Sequence, residues 1–430
     1  MQDDKKNKLA QNFFFLGIVQ IINVLLQLLV IPYVIKIIGV DGFGVVAVAQ
    51  VVMLFLSALT DYGFNQTATK DISLNRTDKT AISKIFYRAL FSRLLLCFLS
   101  FLLLVILVIC VPLFRSNAYL YFMAFVFVVG QSLFVNWFFQ GLEKMQFIAL
   151  LTLLARVVFV VLVFAFIKNK EDGILFLFFW GTGSFVAGIT GIYIAHHLLS
   201  VQFIKPGRAD IIRELKEGWH VTAANLSIYA CQYLNLIILR IFTNDLVAGY
   251  YGIAERIFSA MKQGLAIFSQ VIYPKVCRLI QKGRSQLILF FRQTYFPFLL
   301  LVTAGCVLVF ILSSPILYFF IGHKSENSVF LLRVLCAVLI IICMNIPAWL
   351  VLLATNEKKS FLRITVIGTL LNIISNIILV HFWGAKGTVI SILITEIFIT
   401  TGLCREVYRL YFHDKNEQEI FFKSVFHESK

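Results

Sequence analysis

Charge is scarce in this chain. Asp, Glu, Lys and Arg make up 14% of its 430 residues, while 60% are hydrophobic and the mean hydropathy is +0.88. A soluble domain of this length needs about a quarter of its residues charged to solvate its surface, so that class is excluded. Acid is scarcer than base: 22 Asp and Glu stand against 38 Lys and Arg, a net charge of +16. There is no CxxC and no Cys/His ligand spacing. The eight cysteines lie in or beside apolar runs and read as buried small hydrophobes, not as a disulfide framework or metal site. No small-residue cleavage site follows the first apolar run in MQDDKKNKLAQNFFF, so that run is expected to be a retained span. The short alternating segments of a transmembrane β-barrel are absent too.

What the chain has instead is a succession of apolar runs of roughly 20 residues, the length that crosses a hydrocarbon core of about 30 Å. These predict an all-α integral membrane protein with about twelve transmembrane helices, at 13–35, 43–64, 89–113, 119–141, 147–167, 174–199, 221–242, 247–273, 295–321, 328–354, 361–382 and 387–411. The placement of base fixes the orientation. With the N-terminus in the cytoplasm, twenty-six Lys and Arg residues fall on inside segments and seven on outside ones. That bias puts both termini inside and explains the basic balance without any nucleic acid partner.

The longest inside connection, 201–220, divides the spans six and six, giving an N-terminal bundle at 1–200 and a C-terminal bundle at 201–430. Its RADIIRELKEGW section reads as a surface amphipathic helix after the Pro206-Gly207 break. QGLEKMQF at 140–147 and ATNEKKSF at 354–361 share Glu, Lys and Phe at a constant offset, and KIIGVDGFG at 36–44 is echoed by RIFTNDLVAG at 240–249. A duplicated six-span unit is a recurring transporter plan, with substrate held near the midplane.

Ionisable groups inside spans are costly, and mark either structural ion pairs or a polar pathway. Glu255, Ser259 and Lys262 share one face of span eight, with Arg256 on the neighbouring stripe. Arg156 sits mid-span in LLTLLARVVFVVLV, and Glu396 lies inside span twelve. One reading pairs Glu255 with a neighbouring base and Arg156 with Glu396. The other makes Arg156, Arg256 and Lys262 the lining of a cationic cavity suited to phosphate, whose oxygens a guanidinium fork matches. Asn23 and Gln27 in span one, Gln232 in span seven and Asn372 in span eleven lie on polar stripes that would suit sugar hydroxyls or helix contacts. Asp61, Glu255 and Glu396 are candidates for ion coupling. Arg93 and Arg333, near span ends, read as snorkelling bases, and Asp61 as a helix cap or a partner of Lys70. His196 and His197 read as interfacial, with no third metal ligand in view.

Three stretches resemble the O-antigen flippase (Wzx) family, the polysaccharide transporter branch of the MATE-like flippase superfamily. They are NFFFLGIVQIINVLLQLLVIPYVIKIIGVDGFGVVAVAQ at 12–50, DYGFNQTATKDISLNR at 61–76 and NWFFQGLEKM at 136–145. The resemblance implies a MATE-like fold of two six-helix bundles. It also implies translocation of an undecaprenyl-pyrophosphate-linked oligosaccharide across a bacterial inner membrane by alternating access, coupled to a gradient of H+ or Na+. No cofactor and no catalysis are implied, and the expected partners are the lipid-linked substrate, membrane lipids and other polysaccharide-assembly proteins such as a polymerase or chain-length regulator. The alternatives are a cation-coupled MATE-type multidrug exporter, which would want an acidic cavity, and a membrane-embedded glycan polymerase or acyltransferase, which would want large outer loops or a buried histidine. A sugar facilitator of the major-facilitator kind shares the span count but not its loop signature.

Overall fold

The computed structural model describes residues 2–355 and 357–411. Among these residues every regular element is helical. Lipid offers no partner for backbone N–H and C=O groups, so a chain this apolar satisfies them within its own helices. The first half contains α1 (Gln2–Asp61), α2 (Phe64–Leu74), α3 (Lys79–Cys110), α4 (Pro112–Arg115), α5 (Ala118–Ala124), α6 (Val126–Leu133), α7 (Asn136–Gly141), α8 (Met145–Phe166) and α9 (Gly173–His197). The second contains α10 (Arg208–Phe242), α11 (Asp245–Lys282), α12 (Arg284–Phe290), α13 (Phe296–Ile311), α14 (Ser313–Ile321), α15 (Glu326–Ala354), α16 (Lys358–Trp383) and α17 (Ala385–Tyr411).

Nine helical stretches among the described residues are long and apolar enough to cross a membrane. One of them, Leu29–Leu74, is broken at Gly39, whose φ of 80° and ψ of 167° are open to glycine and strained for any side chain. The nine do not include α10 or α11, of which only Tyr233–Phe242 is a short apolar stretch. The remaining difference from the expected twelve is that Leu29–Leu74 runs through the end of expected span one and all of span two as one stretch.

Packing divides the chain into two compact units. One takes the chain up to Ile253 together with Phe319–His323, and the other comprises Ala254–Tyr318 and the residues from Lys324 onward. This division falls later than the inside connection at 201–220. The reason is that α10 packs on α1 and α3 and so belongs with the preceding helices. The first unit is built on a buried aromatic core of Phe64, Phe86, Trp137, Phe138 and Phe139. In the second, α15, α16 and α17 pack together, with Leu352 and Leu403 buried among them. Large apolar side chains stay exposed along one face of α3 (Phe98, Leu102, Ile106, Ile109) and of α13 (Leu300, Leu301, Leu308, Ile311), where a bilayer would cover them.

The cysteines depart in part from expectation. Cys97, Cys306, Cys336 and Cys343 are buried and free, but Cys110 and Cys404 are exposed thiols.

Candidate functional site

The first unit brings several separate stretches of sequence to one end. Helix α1 stops at Asp61 because Tyr62 and Gly63 both adopt left-handed φ, at 41° and 74°. The Tyr62 hydroxyl donates to the carbonyl of Leu215 at 3.0 Å, and the Asn65 amide donates to Asp61 Oδ1 at 2.8 Å. The Thr69 hydroxyl then donates to the Trp137 carbonyl at 3.1 Å, and Arg76 Nη1 pairs with Glu143 Oε1 at 2.9 Å. Thus DYGFNQTATKDISLNR and NWFFQGLEKM form one structure. Arg88 extends it, pairing with Asp71 Oδ2 at 2.7 Å and with the buried carboxylate of Glu214 on α10. The connections expected on the basic side therefore do gather at one end of this unit.

Beneath that end lies a buried charge pair at a helix break. Span four comes apart between α6 and α7, where Phe134 turns extended (ψ 109°) and the carbonyls of Gln131 and Phe134 lose their place in a continuous helix. Arg93, 4% exposed, donates from Nη1 to Phe134 O at 2.7 Å and from Nη2 to Gln131 O at 2.8 Å. The same guanidinium lies 3.6 Å from Asp61 Oδ1. This corrects two expectations. Arg93 is an interior clamp and not a snorkelling base, and Asp61 answers to Arg93 and Asn65 while Lys70 stands exposed. A planar fork suits three acceptors held at fixed angles, which an ammonium would not.

At the opposite end of the same unit, Arg240 forks onto Asp245 across the α10–α11 turn, and Lys170 lies 3.5 Å from Asp41. The Tyr33 hydroxyl donates to Ile167 O at 2.9 Å, and Lys36 Nζ stands 5.9 Å from the Phe319 ring centre. Here Lys36, Lys170 and Arg240, the bases expected on outside segments, take part in turn closure and packing.

The in-span candidates fall in both units. Arg156 on α8 is half-buried in the first. In the second, Arg256, Glu255 and Lys262 on α11 are half-buried; Glu255 accepts from the Ser259 hydroxyl at 2.6 Å, and Lys262 Nζ lies 6.0 Å from the Phe258 ring centre. The charge that acts on Glu396 is that of Lys262. Arg333 is anchored by the Ser313 hydroxyl at 3.0 Å and by the Phe310 face, which removes it from the snorkelling class. The side chains of Asn23, Gln27 and Gln232 lie outside the described residues. Among the described residues, no group of three or more His, Cys, Asp or Glu could hold a metal ion.

Residues 9–280 match the family described as polysaccharide biosynthesis protein. The chain belongs to that family. It is 27% identical over 397 residues to a protein of Escherichia coli (strain K12), covering 92% of this chain and 96% of that one. It is 28% identical over 407 residues to a protein of Shigella dysenteriae, covering 93% and 100%. Both relatives are named as O-antigen transporters. Among solved structures, this polysaccharide biosynthesis protein resembles the inward-facing conformation of a multidrug resistance MATE family transporter of the MOP superfamily (TM-score 0.73, 16% identity, 90% and 94% coverage). A MOP superfamily transporter from Pyrococcus furiosus, described by the reverse polarity of its binding pocket, is also similar (TM-score 0.56, 16% identity, 93% and 95% coverage). The fold is that of MATE transporters.

In this family member the Asn372 stripe serves packing. Asn372 is 2% exposed, and its amide reaches Ser391 Oγ at 3.4 Å and Thr395 Oγ1 at 3.3 Å, while its carbonyl accepts from Ser391 at 3.1 Å. Asn372 therefore joins α16 to α17, as in the helix-contact reading of its stripe. Replacing it with valine is expected to cost on the order of 1 kcal/mol, as for other interhelical hydrogen bonds in membranes, and to leave transport per folded molecule unchanged. Thermal unfolding of purified protein beside a transport assay normalised to protein level checks both halves. Spacing gave no notice of Arg88, Glu214 or the clamp role of Arg93, because Arg88 meets Asp71 17 residues away and Glu214 on a different helix, and Arg93 donates to backbone carbonyls 38 and 41 residues on.

Proposed function

We propose that this chain moves an undecaprenyl-pyrophosphate-linked oligosaccharide, an O-antigen or similar surface polysaccharide repeat unit, across the bacterial inner membrane. Alternating access coupled to an H+ or Na+ gradient would drive it. The observation that carries this reading is the near full-length similarity to two relatives named as O-antigen transporters, on a fold shared with transporters.

The finer architecture belongs to the same proposal. Divided at Gly39 and joined by α10 and α11, the nine apolar stretches become twelve spans in two six-helix halves, 1–200 and 201–430. The end at which α2, the α7–α8 turn and the segment after α9 gather carries the basic residues and faces the cytoplasm, with both termini. Arg156, Arg256 and Lys262 are the candidates for the diphosphate, since guanidinium and ammonium groups in a low-dielectric setting hold phosphate strongly. Gln27, Asn23 and Gln232 are candidates for sugar hydroxyls, and Asp61, Glu255 and Glu396 for coupling. Of these, Asp61 has the weakest claim, because Arg93 and Asn65 already occupy it.

Deleting the gene is expected to abolish surface polysaccharide while lipid-linked repeat units accumulate on the inner leaflet, with restoration by the wild-type chain. Arg156→Ala and Arg256→Ala should each lower surface polysaccharide at least tenfold at unchanged protein level, as expected for loss of about 1.4 kcal/mol or more at a charge-assisted phosphate contact. Normal polysaccharide in both variants removes them from the pathway. Efflux of cationic drugs by the wild-type chain, with no effect on polysaccharide, would instead favour an exporter.

A further inference from the structure

The basic end of the first unit carries a cavity lined by none of the in-span candidates. This cavity, of about 280 Å³, opens between the α2–α3 corner, the α7–α8 turn and the segment after α9. Arg76, Lys79 and Lys144 contribute three bases to its wall, and Ile82, Phe138 and Val201 contribute apolar surface. No acidic residue lines it. The nearest carboxylate in sequence, Glu143, is turned to Arg76 and holds that guanidinium in place at 2.9 Å.

The walls are built, not incidental. Glu143 and Ser200, beside Lys144 and Val201, both adopt left-handed φ, at 58° and 56°, although neither is glycine. Such conformations persist only where surrounding contacts impose them. Here Lys144 N donates to Phe139 O at 2.8 Å, Val201 N to Ala195 O at 3.1 Å, and Gln202 N to the Ser83 hydroxyl of α3 at 3.1 Å. Phe138 is fully buried in the aromatic core, so the floor of the cavity is rigid.

We infer that this cavity holds the phosphate head group of an anionic lipid. The reasoning is chemical. Lys79 and Lys144, with Arg76 held by Glu143 beside them, leave the wall net positive, which selects negative charge, and the guanidinium and ammonium donors suit phosphate oxygens. The volume sits at the small end for ligand pockets, enough for a head group and not for a whole lipid. Basic pockets between spans on the cytoplasmic side are a recurring way of holding such head groups. The same chemistry fits two sources, the bulk anionic phospholipid of the membrane and a polyprenyl diphosphate. This inference goes beyond the transport reading and rests only on the orientation proposed with it.

The test uses the full-length protein in detergent, with lipid retention read by native mass spectrometry and by thermal shift. The lipids are phosphatidylglycerol, undecaprenyl diphosphate and zwitterionic phosphatidylcholine. Retention of phosphatidylglycerol or of undecaprenyl diphosphate over phosphatidylcholine is expected, falling about tenfold in the Lys79→Gln, Lys144→Gln double variant, which leaves the Arg76–Glu143 pair intact. Lys84→Gln, an exposed lysine of α3 outside the cavity, should change nothing. Preference for undecaprenyl diphosphate assigns the cavity to the substrate class, and preference for phosphatidylglycerol assigns it to the membrane. Equal retention of phosphatidylcholine, or equal losses in the Lys84 and the double variants, overturns the site. A normal thermal unfolding midpoint of the lipid-free double variant shows that any loss of retention is not unfolding.

Discussion

Replacing Arg93 with alanine is expected to destabilise the protein by about 3–5 kcal/mol, the range for breaking a buried ion pair by removal of one partner. The Phe134 carbonyl loses the guanidinium donor, while the Gln131 carbonyl keeps only the Phe134 N–H and Asp61 Oδ1 only the Asn65 amide. A buried acceptor left without a partner costs about 1–3 kcal/mol, and the loss of the charge partner beside Asp61 adds to it without simple additivity. Against a total stability of about 5–15 kcal/mol this is a large fraction. Folded yield and the unfolding midpoint of the purified protein report it. Arg93→Lys should fall between wild type and alanine, since an ammonium cannot fork across acceptors on two segments. Asp61→Asn should cost less than Arg93→Ala, because Arg93 keeps both carbonyls. An Arg93→Ala protein within 1 kcal/mol of wild type would show that the break in span four stands without its clamp.

The second large effect is steric. A Cβ added at Gly44 would lie 1.9 Å from the carbonyl oxygen of Asp245, and one at Gly249 would lie 2.1 Å from that of Val40. Helix α1 past its bend and the first turns of α11 therefore touch backbone to backbone, the close approach that small residues permit between membrane helices. The obstructing atoms are main chain and cannot swing aside, so the helices must separate. Gly44→Ala and Gly249→Ala are each expected to cost at least the 1–3 kcal/mol typical of overpacking. Gly252→Ala is the internal control, because its Cβ would meet only side chains, at 3.3 Å from Ala47 Cβ and 3.7 Å from Phe43. Unfolding midpoints should rank Gly252→Ala near wild type and the other two well below. A control as damaged as Gly44→Ala would refute the backbone contact.

Much of this was legible in the sequence. Apolar run length located the nine stretches among the described residues that are long and apolar enough to cross a membrane, since the bilayer imposes that length whatever the tertiary structure. Charge bias brought the connections near Lys70, Lys144 and Lys205 to one side, and the contacts Arg76–Glu143 and Tyr62–Leu215 place those connections together. The DYGFN run marked a helix end because it pairs a β-turn glycine with an asparagine that reaches back to Asp61. The break at Phe134 was not legible. The local sequence SLFVNW contains neither proline nor glycine, and the freed carbonyls are met by a donor forty residues earlier. The role of Asn372 was equally hidden, because a polar stripe on a span looks the same whether it faces a pathway or the hydroxyls of a neighbouring helix. Glu396 was visible as a buried acid, but its charged neighbour Lys262 follows from packing across helices within the second unit.

The short stretch Phe319–His323 has a consequence for synthesis. It belongs to the first unit, where Lys36 stands near the Phe319 ring and the Tyr250 hydroxyl meets His323 Nε2 at 3.1 Å. Membrane proteins fold as the chain emerges, earlier segments ordinarily first. Here the earlier unit cannot be completed when its own last helix leaves the ribosome. It waits for about seventy further residues, and in that interval α12 and α13, which belong to the later unit, have already been made. The two units are thus interleaved in time, and a ribosome that stalls before residue 319 leaves an unfinished first unit, not a finished half.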